Sequence, residues 1–421
     1  MEGFMNFMEK KFVPVAGRIG SQRHLVAIRD GFVSIMPLIL AGSTALLLKN
    51  TLFTWIKPLA VLIPICDQVW WGSLAIMTLL VIFSTGFSLA KSYGQDGLAA
   101  GLIAVGSYFA TLPQSHGEAG WGYIHWSYLQ ATGLFTGLLV AIIATEIFVR
   151  LMKRNITIKM PEEVPPSVGR AFAAVIPGMV TMFTFGIVFL IIDKLGQVSL
   201  YDLIYNTIQK PLQGFSQGVG SAMVMAMLIN LFWFFGIHGA NIFDPVMNAL
   251  YLPALTENAA AIEAGQAAPN VITRVFFDSY VHLGGSGATL ALIIAIMLAA
   301  KHRKDYREVA KLSAPSGIFQ INEPMMFGIP IVLNPILFIP FLITPGILTL
   351  IAYIGTAIGF APPTYIAIPW TTPPIIGAFL STGANAASIK AAILAAINLV
   401  VAVLIYLPFV KLADKQKLQN K

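Results

Sequence analysis

The chain carries few charges, so each one inside an apolar stretch calls for a reason. Glu323 stands in the run Gln320 to Gly328 (Gln-Ile-Asn-Glu-Pro-Met-Met-Phe-Gly), with no Lys or Arg close by in sequence. A carboxylate here can accept hydrogen bonds from hydroxyls, which is what a polyhydroxylated solute such as a sugar offers. Pro324 frees local backbone groups, Gly328 allows close approach, and Asn322 adds an amide beside the carboxylate. The competing reading is a carboxyl that caps a helix N-terminus. His238 follows the apolar run Leu231 to Phe235 and is flanked by Gly236 and Gly239, with Asn241 shortly after. Its imidazole can take or give a proton near neutral pH, and the glycines are expected to clear space around it. A satisfied core histidine is the plainer alternative. His282, just before Gly284 to Gly287 (Gly-Gly-Ser-Gly), is a third polar candidate. Trp233 and Trp370 could stack against the C–H faces of sugar rings. The alternative for any tryptophan in such a chain is the interfacial belt, which accounts for Trp55, Trp70, Trp71, Trp121 and Trp126.

The other ionisable groups have structural explanations. Glu146 lies four residues before Arg150, an i,i+4 pair. Lys390 opens an apolar run and can extend its ammonium outward, and Asp193 with Lys194 stands at a helix end. There is no G-x-x-x-x-G-K-[ST] sequence and no strand–helix setting for a dinucleotide fingerprint, so ATP hydrolysis by this chain is excluded. Cys66 is the single cysteine. It can form no disulfide within the chain, and no Cys/His metal cluster exists. Neither a metal nor another cofactor is expected.

What must position these residues follows from composition. Of 421 residues, 57% are hydrophobic and 11% charged, against about 25% charged in soluble proteins. Apolar runs of membrane-spanning length recur along the chain, so the expected class is an all-α polytopic membrane protein. The spans are expected at 31–48, 72–90, 96–112, 131–148, 172–192, 218–235, 242–255 (the weakest), 287–300, 335–354 and 387–407. The net charge of +7 sits in short segments: Arg150 to Arg170, Lys301 to Lys311 and the C-terminal tail. That is the positive-inside pattern, not a nucleic-acid footprint. With those segments in the cytoplasm the alternation closes at about ten crossings with both termini inside. Phe4, Phe7, Met8 and Phe12 beside Lys10 and Lys11 suggest a short helix lying on the cytoplasmic surface. Two apolar regions, 313–335 and 361–383, are broken by prolines and glycines. Irregular backbone at membrane depth survives where protein covers it or water reaches it, so these read as re-entrant hairpins lining a cavity, with surface loops as the alternative. Between the fifth and sixth spans, Tyr201, Ile204, Tyr205, Ile208 and Leu212 recur at helical spacing, an amphipathic connector.

Three stretches carry a family resemblance: Lys11 to Gly17 continuing to Arg29 through Phe32, the Gly-Ile-His-Gly-Ala-Asn run at His238, and Asn322 to Pro335 (Asn-Glu-Pro-Met-Met-Phe-Gly-Ile-Pro-Ile-Val-Leu-Asn-Pro). In these the chain resembles enzyme IIC, the membrane component of the bacterial phosphoenolpyruvate-dependent sugar phosphotransferase system, in its lactose/cellobiose branch. The likeness runs in length and order over essentially the whole chain. It implies about ten spanning helices plus two re-entrant hairpins, assembled as a homodimer in the bacterial cytoplasmic membrane. It also implies an N-terminal half (1–196) making most of the dimer contact, a connector (197–213) and a C-terminal half (214–421) holding the sugar. The implied mechanism is group translocation: a phosphocysteine on a separate enzyme IIB phosphorylates a β-linked disaccharide of the cellobiose or diacetylchitobiose type. By resemblance Glu323 binds the reacting hydroxyl and His238 sits beside it as a sugar contact and proton acceptor; the residue reading adds Trp233, Asn241, His282, Asn322 and Trp370 as expected substrate contacts. The rival reading is an ion-coupled transporter releasing unmodified sugar, in which the same carboxylate and histidine would relay protons.

Overall fold

The computed structural model describes residues 14–15, 18, 21–50, 52–114, 122–161, 163–196, 199–329, 331–332 and 334–419. The surface helix expected around Phe4 to Phe12 lies outside them, as does Trp121. Among the described residues the regular elements are helices, of which these position the site and the bundle: α1 Arg23–Asn50, α2 Met77–Ser92, α3 Gly97–Phe109, α4 Leu134–Lys153, α5 Pro166–Gly196, α6 Val219–Phe234, α7 Gly239–Glu263, α8 Arg274–Tyr280, α9 Thr289–Ala299, α10 Lys304–Ile318, α11 Glu323–Gly328, α12 Pro335–Ala357, α13 Pro374–Ser381 and α14 Ser388–Gln419; shorter helical pieces, such as Leu52–Trp55 and Ile63–Trp71, lie between them. Six helical stretches in the described residues are long and apolar enough to cross a membrane, or seven if one bent pair counts as a single span.

The chain divides into two compact units, one of Ser21–Gly42 with Gln68–Leu212, the other of Ser43–Asp67 with Gln213–Lys421. In the first, α2, α3 and α4 pack through small residues. A Cβ on Gly137 would come 2.8 Å from Ile82 Cδ1, and one on Gly86 3.1 Å from Ala104 Cβ, so the helices approach closely, as membrane helices without a hydrophobic drive toward one another must. Asp96 starts α3 by accepting from the Leu98 and Ala99 N–H groups at 2.9 and 3.2 Å. Glu146 makes the expected pair with Arg150 (3.4 Å) and also accepts from His24 Nε2 (2.9 Å) and from the Tyr93 hydroxyl.

The connector departs from its expected face. Leu200–Ile204 is α-helical, Tyr205–Gln209 is a π-turn, and Lys210–Ser216 is α-helical again. The π-turn widens the backbone hydrogen-bond register by one residue within the connector. Gln209 is buried, while Ile208 and Leu212, expected on the apolar face, are exposed.

In the second unit, α6, α7, α9, α12 and α14 surround one large core that includes Phe276, Tyr280, Leu292, Phe341 and Tyr406. Buried amides act as ties. Asn398 Nδ2 donates to the carbonyls of Tyr280 (2.8 Å) and Leu348 (3.0 Å). The proline-broken regions each contain one short helix, α11 in the first and α13 in the second, flanked by irregular chain. In the second region the Tyr365 and Ile366 N–H groups both donate to the Ser381 carbonyl, closing the segment on itself.

Candidate functional site

α6 ends at Phe234 and α7 begins at Gly239, and the turn between them holds His238 as the N-cap residue of α7. Gly236 sits at φ +76°, a left-handed conformation that favours glycine. A Cβ on Gly239 would lie 2.0 Å from the Ile229 carbonyl oxygen. The two glycines therefore serve the reversal and the α6–α7 approach, rather than clearing space around His238 as the sequence suggested. The cap fixes the imidazole: Nδ1 accepts the Asn241 backbone N–H at 3.2 Å. A neutral ring whose Nδ1 accepts carries its proton on Nε2.

Nε2 faces Glu323, 3.6 Å from Oε1. That is too long for a hydrogen bond. It is short enough for one hydroxyl oxygen to lie about 2.8 Å from both atoms, a normal hydrogen-bond length on each side. Such a hydroxyl would accept a hydrogen bond from Nε2–H and donate its own to the carboxylate. Glu323 opens α11, with Asn322 as N-cap residue and Pro324 in the first turn. The helix-start reading of this carboxyl is therefore correct as to place, and it coexists with a half-exposed side chain available to a ligand.

Trp233 packs its ring 4.2 Å, centroid to centroid, from His238. It is only 2% exposed, and its indole Nε1 is buried without a hydrogen-bond partner. Phe327, one helical turn after Glu323, meets Trp233 edge to face at 6.4 Å. Asn322 is buried and donates from Nδ2 to the Ser286 carbonyl at 3.0 Å, which ties the start of α11 to the glycine-rich turn after α8. That turn needs its glycines. Gly285 lies at φ +98°, and a Cβ there would be 2.8 Å from Asn322 Cβ and from the Gln320 carbonyl oxygen.

His282 is buried in a different cluster, with Nδ1 3.7 Å from Asp278 and its Nε2 without a partner. Asp278 accepts both of its hydrogen bonds from Arg274 Nη1, at 3.0 Å each. Arg274 also reaches Asp244 (3.3 Å) and Asn248 (3.2 Å) on α7. Burial alone would raise the Asp278 carboxyl; the Arg274 and His282 groups outweigh it and hold the carboxyl below the usual carboxylate range. Gln320 joins this cluster to both broken regions, since its Nε2 donates to the Asp278 carbonyl (3.1 Å) and to the Thr372 carbonyl (2.8 Å). Trp370 lies two residues from that anchor, in the turn before α13, and is 46% exposed. The structure thus brings His238, Glu323, Trp233 and Asn241 together, sets Asn322 and His282 around the neighbouring glycine-rich turn, and connects Trp370 to them through Gln320. Sequence reasoning missed Arg274, Asp278 and Gln320. The signal for the first two was their i,i+4 spacing with His282, three polar residues in line within an apolar setting. Among the described residues no group of three or more His, Cys, Asp or Glu side chains could hold a metal ion.

Comparison with known proteins decides the family. The sequence profile described as "Phosphotransferase system, EIIC" matches residues 29–345. The chain belongs to the phosphotransferase-system EIIC family. This EIIC is 36% identical to the PTS system cellobiose-specific EIIC component of Lactococcus lactis subsp. lactis (strain IL1403), over 99% of both chains. It is 36% identical to the Lichenan permease IIC component of Bacillus subtilis (strain 168), over 98% of this chain and 94% of that one. The crystal structure of the transporter ChbC, the IIC component from the N,N'-diacetylchitobiose-specific phosphotransferase system, superposes with a TM-score of 0.91 at 35% identity, covering 98% of this chain and 99% of that one. The helical architecture of the described residues is therefore that of a IIC transporter, and the protein is a multi-pass membrane permease of a sugar phosphotransferase system.

Proposed function

We propose that this EIIC carries a β-linked disaccharide of the cellobiose or diacetylchitobiose type across the bacterial cytoplasmic membrane and presents one of its hydroxyls to a phosphorylated enzyme IIB. Full-length likeness to permeases named for cellobiose and lichenan and to a diacetylchitobiose transporter supports the substrate class. The observation that carries the reading is the facing pair of Glu323 and His238, 3.6 Å apart, which one hydroxyl can bridge. Trp233 braces the imidazole from behind and offers a buried indole N–H. Asn241 orients the ring, Asn322 fixes the start of the Glu323 helix, and Trp370 and His282, in the segments that Gln320 ties to this helix, serve as further sugar contacts.

In this reading the proton goes to Glu323 and not to His238, and the contact that supports it is the Asn241 N–H on Nδ1. With Nδ1 accepting from Asn241, neutral His238 has no free lone pair toward the substrate and acts as a donor from Nε2. Glu323 is then the acceptor. As the hydroxyl oxygen forms its bond to phosphorus, its proton passes to the carboxylate, the S–P bond of the IIB phosphocysteine breaks, and thiolate leaves. An ionised carboxylate also grips the hydroxyl with a charge-assisted hydrogen bond, worth roughly 1.5 to 3 kcal/mol.

The chain crosses the membrane about ten times with both termini in the cytoplasm. Ten of the helices, α1 to α7, α9, α12 and α14, correspond to the ten apolar runs, and the basic segments fall on one side of that alternation. The regions holding α11 and α13 are re-entrant. The protein acts as a homodimer in which residues 1–196 supply most of the contact, 197–213 connect, and 214–421 bind sugar. The test is vesicles containing the protein and labelled disaccharide. Sugar phosphate should form only when phosphorylated IIB is added. Accumulation of unmodified sugar under a proton gradient, without IIB, would instead establish the ion-coupled reading.

A further inference from the structure

We infer that Phe327 is the aromatic platform for the sugar ring whose hydroxyl Glu323 holds. The inference rests on the proposed reading of Glu323 and His238. Sugars present an apolar face of C–H bonds, and the electron-rich face of an aromatic ring attracts it. Trp233 is the obvious ring in the cluster by sequence, but its position takes it out of that role: it is 2% exposed, and His238 covers it at 4.2 Å. Phe327 has the opposite properties. It is 66% exposed, and its contact with Trp233 is edge to face, with an interplanar angle of 63°, so that contact does not cover both of its ring faces.

Its placement beside the carboxylate follows from the helix. Residues four apart on a helix lie on one face, so Phe327 and Glu323 are neighbours along α11. The helix cannot shift easily. A Cβ on Gly328 would lie 2.6 Å from Val309 Cγ1, which shows how closely this end packs on α10, and Asn322 anchors the other end. An exposed phenyl on a short, fixed helix, next to a half-exposed carboxylate, can stack a pyranose while that carboxylate grips the hydroxyl at its edge. The competing explanation is an apolar side chain that merely faces lipid, and the two make different demands on the residue. Lipid is indifferent between phenylalanine and leucine; a sugar face is not.

The experiment is calorimetric titration of the purified full-length protein with cellobiose and with diacetylchitobiose, comparing wild type, Phe327→Leu, Phe327→Tyr and Glu323→Gln. Stacking on an aromatic ring is worth enough, by analogy with bases on aromatic side chains, that Phe327→Leu should weaken binding about tenfold. Phe327→Tyr keeps the ring and should stay within about twofold of wild type. Normal binding by Phe327→Leu with weakened binding by Glu323→Gln would overturn the platform and leave the site standing. Equal loss in Phe327→Leu and Phe327→Tyr would also overturn it, because the shape of phenylalanine and not its ring face would then matter. Normal binding by both Phe327→Leu and Glu323→Gln would overturn the underlying site with it.

Discussion

Gln320 gives a sharp test of how the two broken regions are held together. It is 4% exposed, and its side-chain amide makes two hydrogen bonds, to the Asp278 carbonyl at 3.1 Å and the Thr372 carbonyl at 2.8 Å. Its backbone sits at φ +64°, so the chain tolerates a strained conformation to keep this residue. Gln320→Glu preserves size and shape but replaces a two-proton donor with an acceptor. Each lost hydrogen bond removes about 0.5 to 1.5 kcal/mol, and a buried carbonyl left unpaired adds about 1 to 3 kcal/mol. Summed over two carbonyls, and allowing for partial relaxation, the change should cost roughly 3 to 5 kcal/mol. Protonation of the new carboxyl restores one donor, so part of the loss should return as pH falls. The assay is thermal unfolding of detergent-solubilised protein at two pH values, followed by disaccharide titration of the folded fraction. Affinity should drop as well, because the turn carrying Trp370 loses its tie to the Glu323 segment. A Gln320→Glu variant within about 0.5 kcal/mol of wild type at neutral pH, the range of an uninvolved surface change, would refute the reasoning.

Two further outcomes follow. A Cβ on Gly287, at φ +84°, would lie 2.1 Å from Phe341 Cε2; Gly287→Ala should therefore destabilise by about 2 to 5 kcal/mol through backbone strain and overpacking, and Phe341→Leu in the same chain should recover part of that loss in a melting assay. Asp414 on α14 accepts from the His302 and Arg303 N–H groups at 2.7 and 2.8 Å and pairs with His302 Nδ1 at 2.8 Å; Asp414→Asn should cost about 1 to 2 kcal/mol and speed amide hydrogen exchange at the start of α10, where an unchanged exchange pattern would show the contact to be dispensable.

The membrane class and the helices were readable because length and hydropathy determine them. Each of the ten expected runs overlaps a helix, and the third run begins at Asp96, the residue that caps α3. The connector was not readable to the same depth. A π-turn is a choice of backbone hydrogen-bond register, and the spacing of Tyr201, Ile204 and Ile208 carries no sign of it. At the site, Glu323 and His238 announced themselves as polar groups in glycine- or proline-disturbed apolar chain. Their roles did not, because the tautomer of His238 depends on a backbone N–H three residues on. The Arg274–Asp278–Asp244 cluster was hidden for another reason. Asp244 and Arg274 lie thirty residues apart in sequence, and only the antiparallel return of the chain joins them. Trp233 and Phe327 show the limit of residue type as a guide, since the sequence does not tell that the first ring is buried and the second exposed.

The most direct test of the central claim compares Glu323→Gln with His238→Gln in phosphoryl transfer from phosphorylated IIB to saturating disaccharide. Glutamine at 238 can still accept the Asn241 N–H through its carbonyl and donate toward position 323 through its amide, so a donor role largely survives and the rate should fall about tenfold or less. Glutamine at 323 removes the only carboxylate of the pair, and loss of the proton acceptor should lower the rate by a factor of about a hundred or more. If His238→Gln instead abolishes transfer while Glu323→Gln retains it, the histidine is the base and the assignment drawn from its tautomer is wrong.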